Sequence, residues 1–285
     1  MTIDKVFEPL QADMTAVDVE LKALMKRVGS EMDPNRSRLG ILGGIVQHPF
    51  AVPGKRIRPA LVLLAYRALE ASADADSLIS LAAAVEVLHA ASLVHDDVID
   101  GADSRRHQVS LNKRFGNRIA VLAGDILYTH FFTLITGLSG IDPRKRFALL
   151  DVFLETTKAM CMGEILAQEA RSAARPLTFD LYKEIATDKT AVLFSACCKT
   201  AAMLGGAPEA TVSCVGELGL DFGLAFQMID DLMDKDHGLE STVDLLAKAL
   251  GHAERARAAL RTLPDTRYRT TLHDLLDYVI AQAIP

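Results

Sequence analysis

The sequence predicts an all-α protein. Three observations carry that expectation. Half of the residues are hydrophobic, Ala and Leu dominate them, tryptophan is absent and only 6% are aromatic, a composition of strong helix formers. Apolar residues recur every three or four positions over long stretches, which is the period of a helix face. No segment shows the apolar–polar alternation or the β-branched clustering of a strand.

Taken in order, the seam Ile3, Phe7, Leu10, Met14, Val17, Leu21, Leu24 and Val28 predicts one long amphipathic helix, followed by the breaker Asp33-Pro34-Asn35. Further helices are predicted over 37–47, 58–71, 77–100, 118–138, 143–170, 178–204, 210–233, 240–263 and 268–283. Between them lie breakers such as Val52-Pro53-Gly54, Gly205-Gly206 and Leu263-Pro264-Asp265. Neither a repeat nor a linker interrupts the pattern, so residues 1–285 are expected to form a single domain, a bundle of about ten helices.

Composition narrows the function. With 31 Lys and Arg against 37 Asp and Glu the formal charge is −6, so no diffuse basic field invites nucleic acid, and an anionic ligand needs a local cluster. Cys161, Cys197, Cys198 and Cys214 lie in apolar surroundings without CxxC spacing, which reads as reduced core thiols and a cytoplasmic protein. Glu86, His89 and Asp125 interrupt the most apolar stretches, so no membrane span is expected, and the start MTIDKVFEPLQADM has no secretory signal pattern.

Two segments carry chemistry. LISLAAAVEVLHAASLVHDDVID ends an apolar helix with Asp96, Asp97 and Asp100, of which Asp96 and Asp100 share a face. Carboxylates crowded there repel one another, and a hard cation with oxygen ligands, Mg²⁺ above all, would neutralise them; a solvated helix end would leave the same pattern. LGLDFGLAFQMIDDLMD repeats the arrangement with Asp230, Asp231 and Asp234, and two such ends facing each other would hold several divalent ions and one polyanion. Lys55 and Arg58 in GKRIRP, Arg105 and Arg106, and Lys189 in YKEIATDKTAVLF supply cations suited to paired diphosphates, although each alone reads equally as a solvated surface charge.

The ordered set GKRIRP, HDDVID, the two arginines, FGNRIAVLAGD, MGE, DKT and FQMIDDLMD resembles the trans-type isoprenyl diphosphate synthases of the polyprenyl synthetase family, in particular bacterial long-chain members such as the heptaprenyl and octaprenyl synthases. The resemblance implies the isoprenoid synthase fold, an all-α bundle around a central cavity, and a homodimer. It implies isopentenyl diphosphate on Lys55, Arg58, His89 and Arg106. The allylic diphosphate would lie on Mg²⁺, three ions with substrate bound, held mainly by Asp96, Asp100 and Asp230 and assisted by Arg105 and Lys189. Asp97, Asp231 and Asp234 match the remaining aspartates of the metal motifs, and Thr190 and Gln227 match polar groups beside the reacting carbon.

Two departures stand out. The family's long loop after the second motif is missing where Lys235-Asp236-His237 runs into Gly238-Leu239-Glu240, and His107 follows the arginines where the family usually has Gly. Alternatives to a long-chain synthase are a non-catalytic partner subunit of a heteromeric prenyl synthase, a short-chain geranylgeranyl or farnesyl synthase, and a terpene cyclase. Small Ser92 and Ala91, in the position where short-chain members place an aromatic floor, favour a long product whose tunnel would continue past Leu88, Val87 and Ala84 toward Phe131 or Phe132. The continuously apolar RIAVLAGDILYTHFFTLI suits either core or a dimer interface.

Overall fold

In the computed structural model the described residues are 2–31, 41–71, 75–173, 176–234, 239 and 244–283. Asp33-Pro34-Asn35 and the His237-Gly238 junction lie outside them. Contacts divide the chain into two compact units, one of Ala12–Ala60 and Ala75–Gly140, the other of Met1–Gln11, Leu61–Asp74 and Ile141–Pro285.

The N-terminal seam forms two helices rather than one. Helix α1 (Ile3–Val6) ends at a 3-10 turn, Glu8–Leu10, before α2 (Gln11–Glu31) begins. Pro9 sits in that turn and has no N–H to continue an α ladder. The seam still works as packing, with Leu10, Val17, Leu21, Leu24 and Val28 all buried.

In the first unit, α2 is followed by α3 (Ile41–Gln47), the start of α4 (Ile57–Ala68), α5 (Ala75–Ile99), α6 (Leu111–Phe115) and α7 (Asn117–Thr136). Its organising contact is α5 against α7. That approach is close because Gly124 leaves room for the ring of His95, whose Nε2 reaches the Val121 carbonyl oxygen at 3.0 Å. Between α5 and α6 lies a structure that apolar periodicity did not predict, a hairpin of β1 (Ser104–Arg105) and β2 (Gln108–Val109), with Arg105 opposite Gln108. Arg106 and His107 form its two-residue turn with φ of 52° and 62°. A right-handed strand twist favours left-handed residues at both central positions, and this is the reason glycine is common there.

The second unit contains α1, the remainder of α4, α8 (Pro143–Ser172), α9 (Phe179–Ala186), α10 (Val192–Leu204), α11 (Glu209–Asp234), α12 (Leu245–Leu260) and α13 (Arg267–Ile280). Side-chain caps start several of them. Asp142 accepts from the Arg144 N–H before α8, Asp244 from Ala247 before α12 and Thr266 from Arg269 before α13. The helix predicted over 178–204 is divided by a π-helical turn, Thr187–Ala191.

Two readings need correction. Helices α5, α7 and α11 are each long and apolar enough to cross a membrane by length and composition, because isolated charges do not interrupt them sufficiently. Within those windows 72% of α5 and 61% of α11 is buried inside the protein, whereas only 33% of α7 is. Cys161 is exposed rather than in the core, while Cys197 and Cys198 are buried, and burial pushes the Cys198 thiol up to about 12.

Candidate active site

Each unit brings together one half of the residues singled out above. In the first, α5 ends at the aspartates, and the Asp100 N–H still donates to the Asp96 carbonyl at 2.8 Å. The two therefore lie one helical turn apart. Asp97 faces inward. It is buried, and Arg105 reaches its Oδ1 with both Nε and Nη2 at 2.7 Å. Burial holds the Asp97 carboxyl above its ordinary value against the pull of Arg105. Asn112 ties the loop below by donating to the Asp97 and Ala102 carbonyls, both at 3.1 Å.

The hairpin aims the arginines, and His48 anchors it. His48 Nε2 lies 2.8 Å from the Val109 carbonyl, while Gln108 Nε2 lies 2.9 Å from His48 Nδ1. Because a carbonyl only accepts, the ring proton belongs on Nε2 and Nδ1 accepts from Gln108. The Arg106 guanidinium rests on the backbone at Gly54, where an added Cβ would come within 2.4 Å of Nη2. Glycine is therefore needed at position 54 for that resting place.

His89 sits among cations. Arg58 Nη1 lies 3.1 Å from its Nε2, and Arg106, Arg105 and Arg56 surround it. Burial first, and these charges next, push its pKa well below the usual value. The ring is consequently neutral, accepts from Arg58 at Nε2 and carries its proton on Nδ1. Buried Glu86 balances the cluster by pairing with Arg56 at 2.5 Å. A cavity lined by His48, Phe50, Glu86, His89, Arg105 and Arg106 opens beside Asp97. Lys55 is exposed and does not line it.

In the second unit, α11 ends at the other acidic motif, with Asp230 and Asp234 exposed. Asp231 is engaged on both oxygens: Tyr182 donates to Oδ2 at 2.5 Å and Gln227 Nε2 to Oδ1 at 2.8 Å. Burial raises the Asp231 carboxyl above its ordinary value, opposed by these two hydrogen bonds. Burial and Asp231 together keep the Tyr182 phenol protonated. Thr190 Oγ1 donates to Gln227 Oε1 at 2.8 Å.

Three glycines make the approach possible. Gly223 and Gly219 lie one and two turns before Gln227 on the same face of α11, and a Cβ on Gly223 would sit 2.7 Å from Ala191 Cα. On the other side, a Cβ on Gly163 of α8 would sit 2.5 Å from the Lys189 backbone N. The π turn is thereby pressed between α8 and α11, with Lys189 paired to Glu164 of α8 and Thr190 to Gln227 of α11. Gln168 holds Glu164 from one turn along, donating at 2.7 Å.

Sequence reasoning missed His48, Glu86, Gln108, Glu164 and Tyr182 as parts of this machinery. Glu164 carried a signal as part of the MGE motif, and Tyr182 as the first residue of the YKEIATDKTAVLF stretch.

Comparison with known proteins agrees with the geometry. The sequence profile of the polyprenyl synthetase family matches residues 40–242. The octaprenyl diphosphate synthase of Escherichia coli is 31% identical over 234 residues, covering 82% of this chain and 67% of that one. The crystal structure of a decaprenyl diphosphate synthase from Rhodobacter capsulatus superposes with a TM-score of 0.84 at 27% identity, covering 100% of both chains. A polyprenyl synthase from Caulobacter crescentus, complexed with calcium and isoprenyl diphosphate, gives 0.83 at 26% identity and covers 98% of each. The two acidic helix ends, the arginine hairpin, the lysine-bearing π turn and these likenesses converge on one conclusion: the chain belongs to the polyprenyl synthetase family of prenyltransferases.

Proposed function

We propose that the protein condenses isopentenyl diphosphate with an allylic diphosphate, head to tail and in the trans configuration, to make a long-chain polyprenyl diphosphate. The observation that carries this reading is the pair Asp96 and Asp100, one turn apart at the end of α5, beside a cavity lined by His89, Arg105 and Arg106. The likeness to octaprenyl and decaprenyl synthases supports the long product.

The donor set fits Mg²⁺. Asp96 and Asp100 at the acidic helix end of one unit, and Asp230 and Asp234 at that of the other, carry hard carboxylate oxygens. Among the described residues no three His, Cys, Asp or Glu side chains stand together as a preformed cation site, so the fit rests on donor chemistry alone: Mg²⁺ takes oxygen ligands and shares its sphere with waters and phosphates. Bound there, it would supply neutralisation of the diphosphate charge. Arg105 and Lys189 assist by holding the leaving diphosphate, and Arg58, Arg106 and Lys55 grip the second one, for which neutral His89 offers its Nδ1–H. The allylic C–O bond breaks with its electron pair leaving on diphosphate, so no protein nucleophile is required. The alkene of isopentenyl diphosphate then attacks the allyl carbon, and the proton lost afterwards is taken by the released diphosphate. Thr190 and Gln227 face the cation with their oxygen dipoles.

The outward face of α7 exposes Ile119, Val121 and Leu122, and we read it as the contact with a second copy of the chain in a cytoplasmic homodimer. Incubation with Mg²⁺, farnesyl diphosphate and isopentenyl diphosphate, followed by sizing of the product, tests the activity. Asp96→Ala and Asp230→Ala are expected to abolish turnover with helical content unchanged; near-normal turnover in either would overturn the metal assignment. Light scattering that returns a monomeric mass would overturn the dimer.

A further inference from the structure

Tyr182, Asp231, Gln227 and Thr190 form one continuous hydrogen-bond chain across α9, α11 and the π turn, within a single unit. The polarity of that chain is fixed by its chemistry. An ionised carboxylate only accepts, so Asp231 must be met by a hydroxyl proton from Tyr182 and by the NH₂ of Gln227. With its NH₂ committed to Asp231, the Gln227 amide presents its carbonyl oxygen to Thr190. Thr190 must then donate its own proton to that oxygen, and the lone pairs of its Oγ1 point away from Gln227. A threonine without this constraint would rotate its hydroxyl and could offer a proton instead.

We propose that Tyr182 is a positioning residue which, through Asp231 and Gln227, locks the Thr190 hydroxyl so that it presents lone pairs to the allylic cation. Buried Tyr182 lies 49 residues from Asp231 and is the first residue of the YKEIATDKTAVLF stretch that carries Lys189. The inference rests on the prenyltransferase reading and adds to it the direction of the Thr190 dipole. It also separates the aspartates of the second motif, giving Asp231 an orienting role distinct from that of exposed Asp230 and Asp234.

The test is a double-mutant cycle on kcat with farnesyl and isopentenyl diphosphates at saturating Mg²⁺. Tyr182→Phe removes one oxygen and is expected to lower kcat on the order of tenfold, leaving KM for both substrates and the half-saturating Mg²⁺ within about twofold. Thr190→Val is expected to lower kcat as well, and adding Tyr182→Phe to it should cost almost nothing further, since the two act through one chain. Unchanged kcat in Tyr182→Phe, multiplicative losses in the double variant, or a shift in Mg²⁺ half-saturation with kcat preserved would each overturn the proposal. Should Tyr182→Phe fail to fold, Gln227→Leu in the same cycle with Thr190→Val decides by the same coupling. A wild-type protein that makes no product overturns the underlying prenyltransferase reading, and this inference with it, before any variant is compared.

Discussion

Gly163→Ala puts a single methyl group against the backbone that carries Lys189 and Thr190. The new Cβ would lie 2.5 Å from the Lys189 N and 2.8 Å from Asp188 Cβ. Ordinary contact begins near 3.4 Å, so α8 and the π turn must separate by about 0.9 Å. Neither neighbour is the tip of a flexible side chain, so the strain must be taken up by the backbone. Overpacking of this kind costs about 1–3 kcal/mol, while replacing a mid-helix glycine by alanine returns about 1 kcal/mol of helix propensity. The net loss of stability is therefore about 0–2 kcal/mol, a fall of several degrees in Tm at most. Activity should suffer far more, because displacing catalytic groups by roughly 1 Å costs on the order of 10²-fold. Steady-state kinetics alongside thermal melting separates the two effects. Gly216→Ala is the control: its Cβ would meet nothing closer than 3.6 Å, so stability should hold or rise with kcat unchanged. Wild-type kcat in Gly163→Ala would refute the argument that α8 sets the position of the π turn.

Three further outcomes follow from the first unit. Gly54→Ala leaves the fold intact, because the crowded atoms are the mobile end of Arg106, but it displaces that guanidinium and should raise KM for isopentenyl diphosphate by roughly 10-fold; an unchanged KM would show that Arg106 does not use this resting place. His89 has a folded pKa below its unfolded value of about 6.5, so the unfolded chain binds more protons and stability falls as pH drops below about 6.5. The Tm advantage of wild type over His89→Gln should accordingly shrink between pH 7.5 and 5, and a gap that stays constant or widens on acidification contradicts it. On the reading that the product tunnel runs past Ala91, which is fully buried, toward Phe131 and Phe132, which meet edge to face at 5.0 Å, Ala91→Tyr should shorten the product and Phe132→Ala lengthen it; the same chain length from Ala91→Tyr would send the tunnel elsewhere.

What could be read from the sequence was what short-range physics controls. Helical periodicity is set by neighbours three and four residues apart, which is why α5, α7, α8 and α11 fall within two residues of their predicted ends, and why Asp96 and Asp100 share a face. The identity of the acidic and basic groups was legible for the same reason, as residue type and spacing. Pro9 was legible too, and its missing donor should have divided the first helix. Contacts between distant residues decided the rest. Asp96 and Asp97 are adjacent in the chain, yet Asp97 turns inward because Arg105 reaches it from a hairpin that apolar periodicity does not reveal. Asp231 is held by a tyrosine of another helix, and Thr190 owes its partner to a π turn pressed between two helices that glycine allows to come close. The direction of a hydroxyl and the tautomer of a histidine depend on which acceptor or donor lies about 3 Å away, and that is fixed only once the tertiary fold has brought the partners together.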